Sequence, residues 1–170
     1  MRGLHGRPGQ AGFSLIELLT VLTVLGIMMA IGVPSFRNFI ASQRVKSTSY
    51  EISTTLLLAR SEAIKRNTTV TIAPLTANTW TSGWTATATQ TVSGTPTTIT
   101  LQNQAAIDGI TITTLGSDGV TPASLASVTF NSAGRQTGAV TYWQLAGATS
   151  TRCVRLDSAG IATTKSGTCS

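Results

Sequence analysis

The sequence predicts an α+β protein in which one long N-terminal helix precedes an antiparallel β-sheet domain. The first observation is an apolar run from Phe13 to Val33 that contains one charged residue, Glu17. At about 1.5 Å per residue this run forms a helix of roughly 31 Å, enough to cross a bilayer core. The second is that short β-branched runs separated by turn residues fill the chain beyond Pro74. With 170 residues, the chain has room for one soluble domain after the membrane segment.

The first twelve residues form a short basic segment ahead of the apolar run. They contain Arg2 and Arg7, and positive charge beside a membrane segment indicates its cytoplasmic side. An ordinary secretory signal ends in a small-residue cleavage site, whereas this run ends in IGVPSFRNF. We therefore interpret residues 1–12 as a leader peptide whose boundary, Gly12-Phe13, comes before the apolar run.

A second helical pattern continues from Pro34 to Asn67. Its apolar residues recur at spacings of 4, 3 and 4, which places them on one helix face that we expect to join the core. These residues are Ile52, Leu56, Ala59 and Ala63. Glu62 and Arg66 form an i,i+4 pair on another face. Because proline removes a backbone donor, Pro34 is expected to bend the helix. The predicted parts are a membrane-spanning half at 13–33, an amphipathic half at 34–67 and a β-rich soluble domain at 68–170.

Short strands are predicted throughout the soluble domain. The first is Thr69–Ala73, ended by Pro74 because proline cannot donate to a strand ladder. Glycine-containing turns separate the others, which are Thr79–Thr89, Thr97–Gln102, Ile110–Leu115, Ser127–Asn131, Val140–Ala146 and Arg152–Asp157. Four aromatic residues are expected to pack in the core or between strands, with a base-stacking platform as the alternative. They are Trp80, Trp84, Tyr142 and Trp143.

The two cysteines, Cys153 and Cys169, lie near the C-terminus. After a membrane signal they indicate one disulfide made in an oxidising compartment, with two free thiols as the alternative. Closing a loop of about 15 residues contributes about 3 kcal/mol in the chain-entropy model. No metal site or other cofactor is expected, because the one histidine, His5, lies in the leader.

No pattern in the sequence indicates catalysis. The acids of the soluble domain are scattered, and no phosphate-cradling GxxxxGK[ST] motif occurs. The formal net charge of +6 is modest. It is consistent with solubility or with a polyanion-binding face. We therefore predict a protein that is not an enzyme.

The segment G-F-S-L-I-E-L-L, from Gly12 to Leu19, resembles the class III signal of type IV pilins and type II secretion pseudopilins. The resemblance implies cleavage between Gly12 and Phe13 by a prepilin peptidase, followed by N-methylation of Phe13. It also implies that Glu17 pairs with the N-terminal amine of a neighbouring subunit during assembly, because a carboxylate and an ammonium cannot stay unpaired in lipid. Pro34 falls where many of these proteins carry a helix-bending proline. The implied location is the bacterial inner membrane, with a single span and the C-terminal domain in the periplasm.

Two further segments resemble the GspH/FimT group of minor pilins and pseudopilins. The first is A-R-S-E-A-I-x-R, Ala59 to Arg66, and the second is F-x-x-x-G-R, Phe130 to Arg135. The cysteine-bearing C-terminus resembles the FimT/FimU branch of minor type IV pilins. This implies a pilin-like fold and a structural subunit for pilus assembly or priming, incorporated into a pilus. The implied partners are other minor and major pilins and an inner-membrane assembly platform. A GspH-type pseudopilin of type II secretion is the alternative.

DNA binding is the other function that the resemblance raises. Some FimT-type pilins bind DNA for natural transformation through a G-R-x-R motif, but the aligned turn here, Gly160 to Thr163, lacks both arginines. Candidate phosphate contacts remain at Arg135, Arg152, Arg155 and Lys165. Arg152 and Arg155 are three residues apart, so on one strand they would lie on opposite faces. Binding through these residues would be independent of DNA sequence and strongly salt-dependent.

Overall fold

A computed structural model of the chain describes residues 13–92 and 94–169. The predicted leader, with Gly12 of the cleavage junction, lies outside these residues. The chain divides into two compact units, residues 1–37 and 38–170, which are described separately below.

One long helix, α1, spans Leu15–Arg66 and confirms the predicted helix. It continues through the position of Pro34, and the bend expected there stays a prediction. The helix ends where Asn67 adopts a left-handed conformation with φ of 50°. The amide of Asn67 donates to the carbonyl of Ile64, and the amide of Thr68 donates to that of Ala63. This pair of bonds is a Schellman motif, which satisfies carbonyls that a helix end would otherwise leave free.

In the described part of the chain, eight strands follow α1 and form two antiparallel four-stranded sheets. Sheet A has the order β3-β2-β1-β5 and sheet B the order β4-β6-β7-β8. The α+β prediction is therefore confirmed. The strands are β1 (Val70–Thr76), β2 (Thr79–Val92), β3 (Thr95–Gln104), β4 (Thr111–Leu115), β5 (Val128–Phe130), β6 (Thr141–Ala146), β7 (Thr151–Leu156) and β8 (Ala162–Ser166).

The core lies between the second half of α1 and the inner faces of both sheets. The predicted stripe is buried as expected and is joined by Val45, with Ile52, Leu56, Ala59 and Ala63 each at most 2% exposed. Indole rings connect the sheets, because Trp80 of β2 lies edge-on to Trp143 of β6 at 5.3 Å between centroids. Trp80, Trp84 and Trp143 are all buried, which confirms that they pack in the core. Tyr142 is half-buried and packs in a second, smaller cluster around the cysteines.

Three predictions about the strands need correction. First, β1 does not end at Pro74 but continues to Thr76 with a register shift after the proline. Proline is tolerated there because β5 pairs only with Val70, Thr71 and Ile72, so β1 is already an edge strand at residue 74. Second, β2 and β3 are longer than predicted, because Val92 pairs with Thr95 and the ladder runs up to the turn.

Third, β8 was not among the predicted strands. The segment Ala162–Ser166 contains no alternation of large apolar and polar residues, and among the described strands it pairs with β7 alone. Its strand conformation depends on pairing with β7, which a pattern search within the segment cannot detect. The other predicted strands are confirmed to within one or two residues at each end.

Candidate functional site

The N-terminal part of α1 exposes an apolar surface along its length. Within the described residues 13–37, the large apolar side chains from Phe13 to Val33 are between 44% and 78% exposed. An 18-residue window of this helix reaches a mean hydropathy of 2.3, and none of that window is buried within the structure. By length and composition this part of α1 can span a membrane.

Glu17 is the acidic residue of the first turn of α1. A carboxylate near a helix N-terminus interacts favourably with the helix dipole. Phe13 is 76% exposed and lies just before the first turn. Cleavage at Gly12-Phe13, methylation of Phe13 and pairing of Glu17 with an amine stay predictions.

The segments that resembled GspH/FimT motifs meet at one place in residues 38–170. Nη1 of Arg60 donates to the carbonyl oxygen of Gly160 at 3.1 Å. A Cβ atom placed on Gly160 would come within 2.3 Å of the carbonyl oxygen of Gly134. A Cβ atom on Gly134 would lie 2.5 Å from Cδ1 of Ile64. The turn after β5 and the turn before β8 therefore pack backbone to backbone, which requires glycine at residue 160. The helix motif packs on these turns through the side chains of Arg60 and Ile64.

The turn in F-x-x-x-G-R has its own hydrogen bonds. Oδ1 of Asn131 accepts the amides of Ala133 and Arg135, at 3.1 and 3.0 Å. Gly134 has φ of 72°, a left-handed conformation that favours glycine. In the structure this motif begins at the last residue of β5 and continues as a turn.

Cys153 and Cys169 form a disulfide, which confirms the predicted pairing and shows that the free-thiol alternative is wrong. Both cysteines are buried with Leu115 on the face of sheet B that lies away from α1. The amide of Cys169 donates to Oε1 of Gln144 at 3.3 Å. A Cβ atom on Gly119 would lie 2.4 Å from the carbonyl oxygen of Cys169, so the turn after β4 packs directly on the C-terminal cysteine.

Two carboxylates are held ionised by structural contacts. The side-chain hydrogen bond from Arg66 lowers the pKa of Glu62, and the predicted i,i+4 ion pair is confirmed. The hydroxyl of Thr121, together with the amides of Val120 and Thr121, lowers the pKa of Asp118 to about 2. Neither group is adapted to exchange protons near neutral pH, because a general acid or base works best with a pKa close to the working pH.

The four candidate DNA contacts do not form one cluster. Arg152 faces α1, with its guanidinium carbon 5.6 Å from the ring centroid of Tyr50. Arg155 lies on the opposite face of β7, as predicted, beside the disulfide. Lys165 pairs with Cys153 across β7 and β8, so it shares that face with Arg155. Arg135 is exposed in the turn after β5, which is a strand of sheet A rather than sheet B.

Comparisons with known families agree with this geometry. The family model described as type II transport protein GspH matches residues 49–160, more than half of the chain. The chain belongs to the GspH family. The model of the prokaryotic N-terminal methylation motif matches residues 7–33 of this GspH-family chain. The match covers Gly12, Phe13 and Glu17, the residues that carried the resemblance to a class III signal.

Two proteins of known structure share the fold of this chain. The type IV minor pilin FimU of Pseudomonas aeruginosa has a TM-score of 0.59 at 17% identity, covering 78% of this chain and 99% of FimU. The minor pseudopilin EpsH from the type II secretion system of Vibrio cholerae has a TM-score of 0.51 at 17% identity, covering 72% of this chain and 97% of EpsH. At this identity the likeness shows the fold alone, which is that of a type IV pilin-like subunit.

Curated relatives match only the N-terminal region. The type IV major fimbrial protein FimA of Dichelobacter nodosus is 43% identical over 42 residues, which is 25% of this chain and 27% of FimA. The fimbrial protein EcpB of Eikenella corrodens is 37% identical over 46 residues, which is 27% of this chain and 29% of EcpB. The chain therefore spans little more than a quarter of the length of these relatives.

Two features of residues 38–170 were not predicted from the sequence. One is the convergence of Arg60, Gly134 and Gly160, which no spacing in the sequence indicates. The other is an exposed apolar row on α1, formed by Tyr50, Leu57 and Ile64. The seven-residue repeat of this row is a signal that could have found it, since such residues share one helix face away from the buried stripe.

Proposed function

We propose that this GspH-family chain is a minor type IV pilin of the FimT/FimU type, a non-enzymatic subunit that takes part in pilus assembly or priming. The observation that carries the proposal is the exposed apolar helix together with the glycine, phenylalanine and glutamate of the N-methylation motif at its start. An apolar surface of this length needs a bilayer or other helices around it. The FimU-like fold of the remaining chain supports the same function.

The proposed assembly step depends on Glu17. Cleavage by a prepilin peptidase between Gly12 and Phe13 would free an α-amine one helical turn from this carboxylate, and Phe13 would then be N-methylated. Within lipid, an ammonium and a carboxylate are stabilised only when paired. Pairing of Glu17 with the amine of a neighbouring pilin would set the register of the incoming subunit.

The proposed location follows from the same features. Arg2 and Arg7 keep the N-terminus in the cytoplasm, and α1 crosses the inner membrane once. The β-domain then lies in the periplasm, where the Cys153–Cys169 disulfide can form. The partners are other minor and major pilins and the inner-membrane assembly platform.

The test compares Glu17→Ala with Glu51→Ala, a half-buried glutamate in the second half of α1, in cells that make pili. Mass spectrometry of the membrane fraction should find both variants cleaved before Phe13, and wild type methylated there. Sheared pili should contain the wild type and Glu51→Ala but little Glu17→Ala. Normal incorporation of Glu17→Ala would contradict the assembly role. Retention of residues 1–12 despite an active peptidase would contradict the whole proposal.

A type II secretion pseudopilin is the second candidate function, and the GspH family model and the EpsH-like fold favour it. Deleting the gene separates the two. Loss of surface pili with normal secretion supports the minor pilin, and the reverse result supports the pseudopilin. Neighbouring genes for minor pilins or for a secretion apparatus would give the same distinction.

DNA binding is a third candidate, favoured by the shared face of Arg155 and Lys165. A gel shift with the full chain in detergent, across a salt series, would test it. Arg155→Gln should weaken the shift and reduce its salt dependence, whereas Arg152→Gln on the opposite face should not. No shift at low salt, together with normal transformation in a deletion strain, would remove this candidate.

A further inference from the structure

A groove runs between α1 and the end of sheet B, within residues 38–170. It has a volume of about 240 Å³. Its helix wall includes Tyr50, Leu57 and Arg60, and its sheet wall includes Ile161 and Ala162. Tyr50 is 52% exposed, Leu57 65% and Ile161 48%. The groove is therefore apolar, concave and open to solvent.

The sheet wall of the groove is the turn that leads into an edge strand, because Gly160 and Ile161 precede β8 and Ala162 is its first residue. β8 is the last strand of sheet B, and no other described strand pairs with its outer side. Just beyond the ladder, the amide of Gly167 donates to the carbonyl of Thr151, and the amide of Asp157 donates to that of Ile161. Residues 161 and 167 are therefore in hydrogen-bonded pairs with β7. Hydrogen-bonded and non-hydrogen-bonded pairs alternate along an antiparallel ladder, so Thr163 and Lys165 also direct their backbone groups toward β7. The amides and carbonyls of Ala162, Thr164 and Ser166 consequently point away from β7, along the free edge.

The helix extends its apolar surface beyond this edge. The hydroxyl of Thr164 bonds that of Ser53 at 2.7 Å, which shows that the inner face of β8 lies against α1. Tyr50 and Leu57 lie two helical turns apart beside that contact and stay half exposed or more. A fifth strand of sheet B, added outside β8, would place alternate side chains against these two residues.

We propose that this groove binds an extended segment of a neighbouring pilin-type subunit, which pairs with the free edge of β8 as an added strand. Backbone hydrogen bonds to Ala162, Thr164 and Ser166 would provide affinity, and the apolar helix wall would select the side chains. This inference rests on the proposed assembly function and names the surface through which the β-domain would contact a partner.

The groove also restricts the chemistry of the segment. Its alternate residues must be apolar to cover Tyr50 and Leu57. Arg60 lines the groove, and Arg152 of β7 lies over the ring of Tyr50, so two positive charges lie in or beside the groove. A basic residue in the segment would be repelled there, whereas an acidic one would be attracted. We therefore expect an apolar segment that is neutral or acidic.

Two variants of the full chain test the proposal in cells that make pili, with incorporation into sheared pili as the measurement. Thr164→Pro removes an amide on the free edge and also the hydroxyl bonded to Ser53, while leaving the bonds to β7 in place. Thr164→Val removes the hydroxyl alone and separates the two effects. The control for Thr164→Pro is Thr98→Pro on β3, the free edge of sheet A, two residues after a natural proline at Pro96. Leu57→Glu places charge on the helix wall, and its control is Leu75→Glu, a leucine of similar exposure on β1.

We expect Thr164→Pro and Leu57→Glu each to reduce incorporation by at least about fivefold, the factor that corresponds to one net backbone hydrogen bond. The two controls should behave as wild type. Formation of the disulfide and the midpoint of thermal unfolding in detergent report whether each variant folds. If Thr164→Pro does not fold, amide exchange of wild type replaces it, and the amides of Thr164 and Ser166 should exchange more slowly in pili than in detergent.

Three results would overturn the proposal. Normal incorporation of both groove variants would show that the groove has no role. Loss of Leu57→Glu alone, with Thr164→Pro folded and incorporated or with unchanged exchange at Thr164, would show that the partner contacts the apolar helix wall without pairing with β8. Absence of the wild type from pili would overturn the assembly function itself, and the groove proposal with it.

Discussion

The guanidinium of Arg60 donates a 3.1 Å hydrogen bond to the carbonyl oxygen of Gly160, 100 residues further along the chain. This bond connects the second half of α1 to the turn that leads into β8. The same turn packs against the backbone of Gly134, so three distant segments share one contact. The packing of these segments therefore depends on glycine at residues 134 and 160 as well as on the arginine at residue 60.

The first prediction concerns Gly160→Ala. Gly160 has φ of 80° and Gly94 has φ of 84°. A Cβ atom on Gly160 would meet the backbone of Gly134, whereas a Cβ atom on Gly94 would point into open space. We expect Gly94→Ala to reduce the free energy of unfolding by about 1 kcal/mol through backbone conformation alone. Gly160→Ala should cost about 2 kcal/mol more, because the contact with Gly134 must open. Denaturation of the full chain in detergent, followed by the fluorescence of the buried tryptophans, measures both. Equal losses would show that the close contact carries no energy.

The second prediction concerns the disulfide. Replacing Cys153 and Cys169 by alanine frees a segment of about 15 residues in the unfolded state, and we expect a loss of about 3 kcal/mol in the free energy of unfolding. Wild type treated with reducing agent is the control and should show a similar loss. Unchanged stability after reduction would show that the contacts of Cys169 with Gln144 and Gly119 suffice to hold the C-terminus.

The third prediction concerns pH. Hydrogen bonds from Thr121 and Val120 lower the pKa of Asp118 from an ordinary 3.8 to about 2 in the folded chain. Because the folded pKa is depressed, the ionised carboxylate stabilises the fold fully above about pH 4, and this contribution is lost as the pH falls through about 2.

Asp118→Asn should therefore lower the midpoint of thermal unfolding at neutral pH, with the difference from wild type shrinking between about pH 4 and pH 2. Asp108→Asn is a matched control, because the hydrogen bond from Arg44 goes to the backbone carbonyl of Asp108, which the substitution keeps. A difference that stays constant down to pH 2 would show that the carboxylate of Asp118 is not the group that titrates.

Much of the fold could be predicted because its signals are local. Periodicity placed Ile52, Leu56, Ala59 and Ala63 on one helix face, and that face is buried. Alternation and turn residues located seven of the eight strands that the structure describes. The strand that was missed, β8, has no apolar pattern of its own and is held by β7. The end of β1 was misplaced because the cost of Pro74 depends on where β5 stops, which is not a property of residues near the proline.

Some features of the candidate site could likewise be predicted from local signals, and others could not. The class III signal and the cysteine pair were recognisable because their residues lie at short spacings or are few in number. The opposite faces of Arg152 and Arg155 followed from strand alternation alone. The shared face of Arg155 and Lys165 did not, since it depends on the register between β7 and β8.

For this protein, the order of residues by itself determined the long helix, its apolar first half with one carboxylate, and the partner of each cysteine. These depend on periodicity, length and the small number of possible pairings. Only the tertiary structure decided which segments pack on Gly134 and Gly160, and that the free edge of β8 lies beside Tyr50 and Leu57. Such contacts join separate segments of the chain, as Arg60 and Gly160 are 100 positions apart, and their geometry depends on how two sheets pack against one helix rather than on any pattern within a segment.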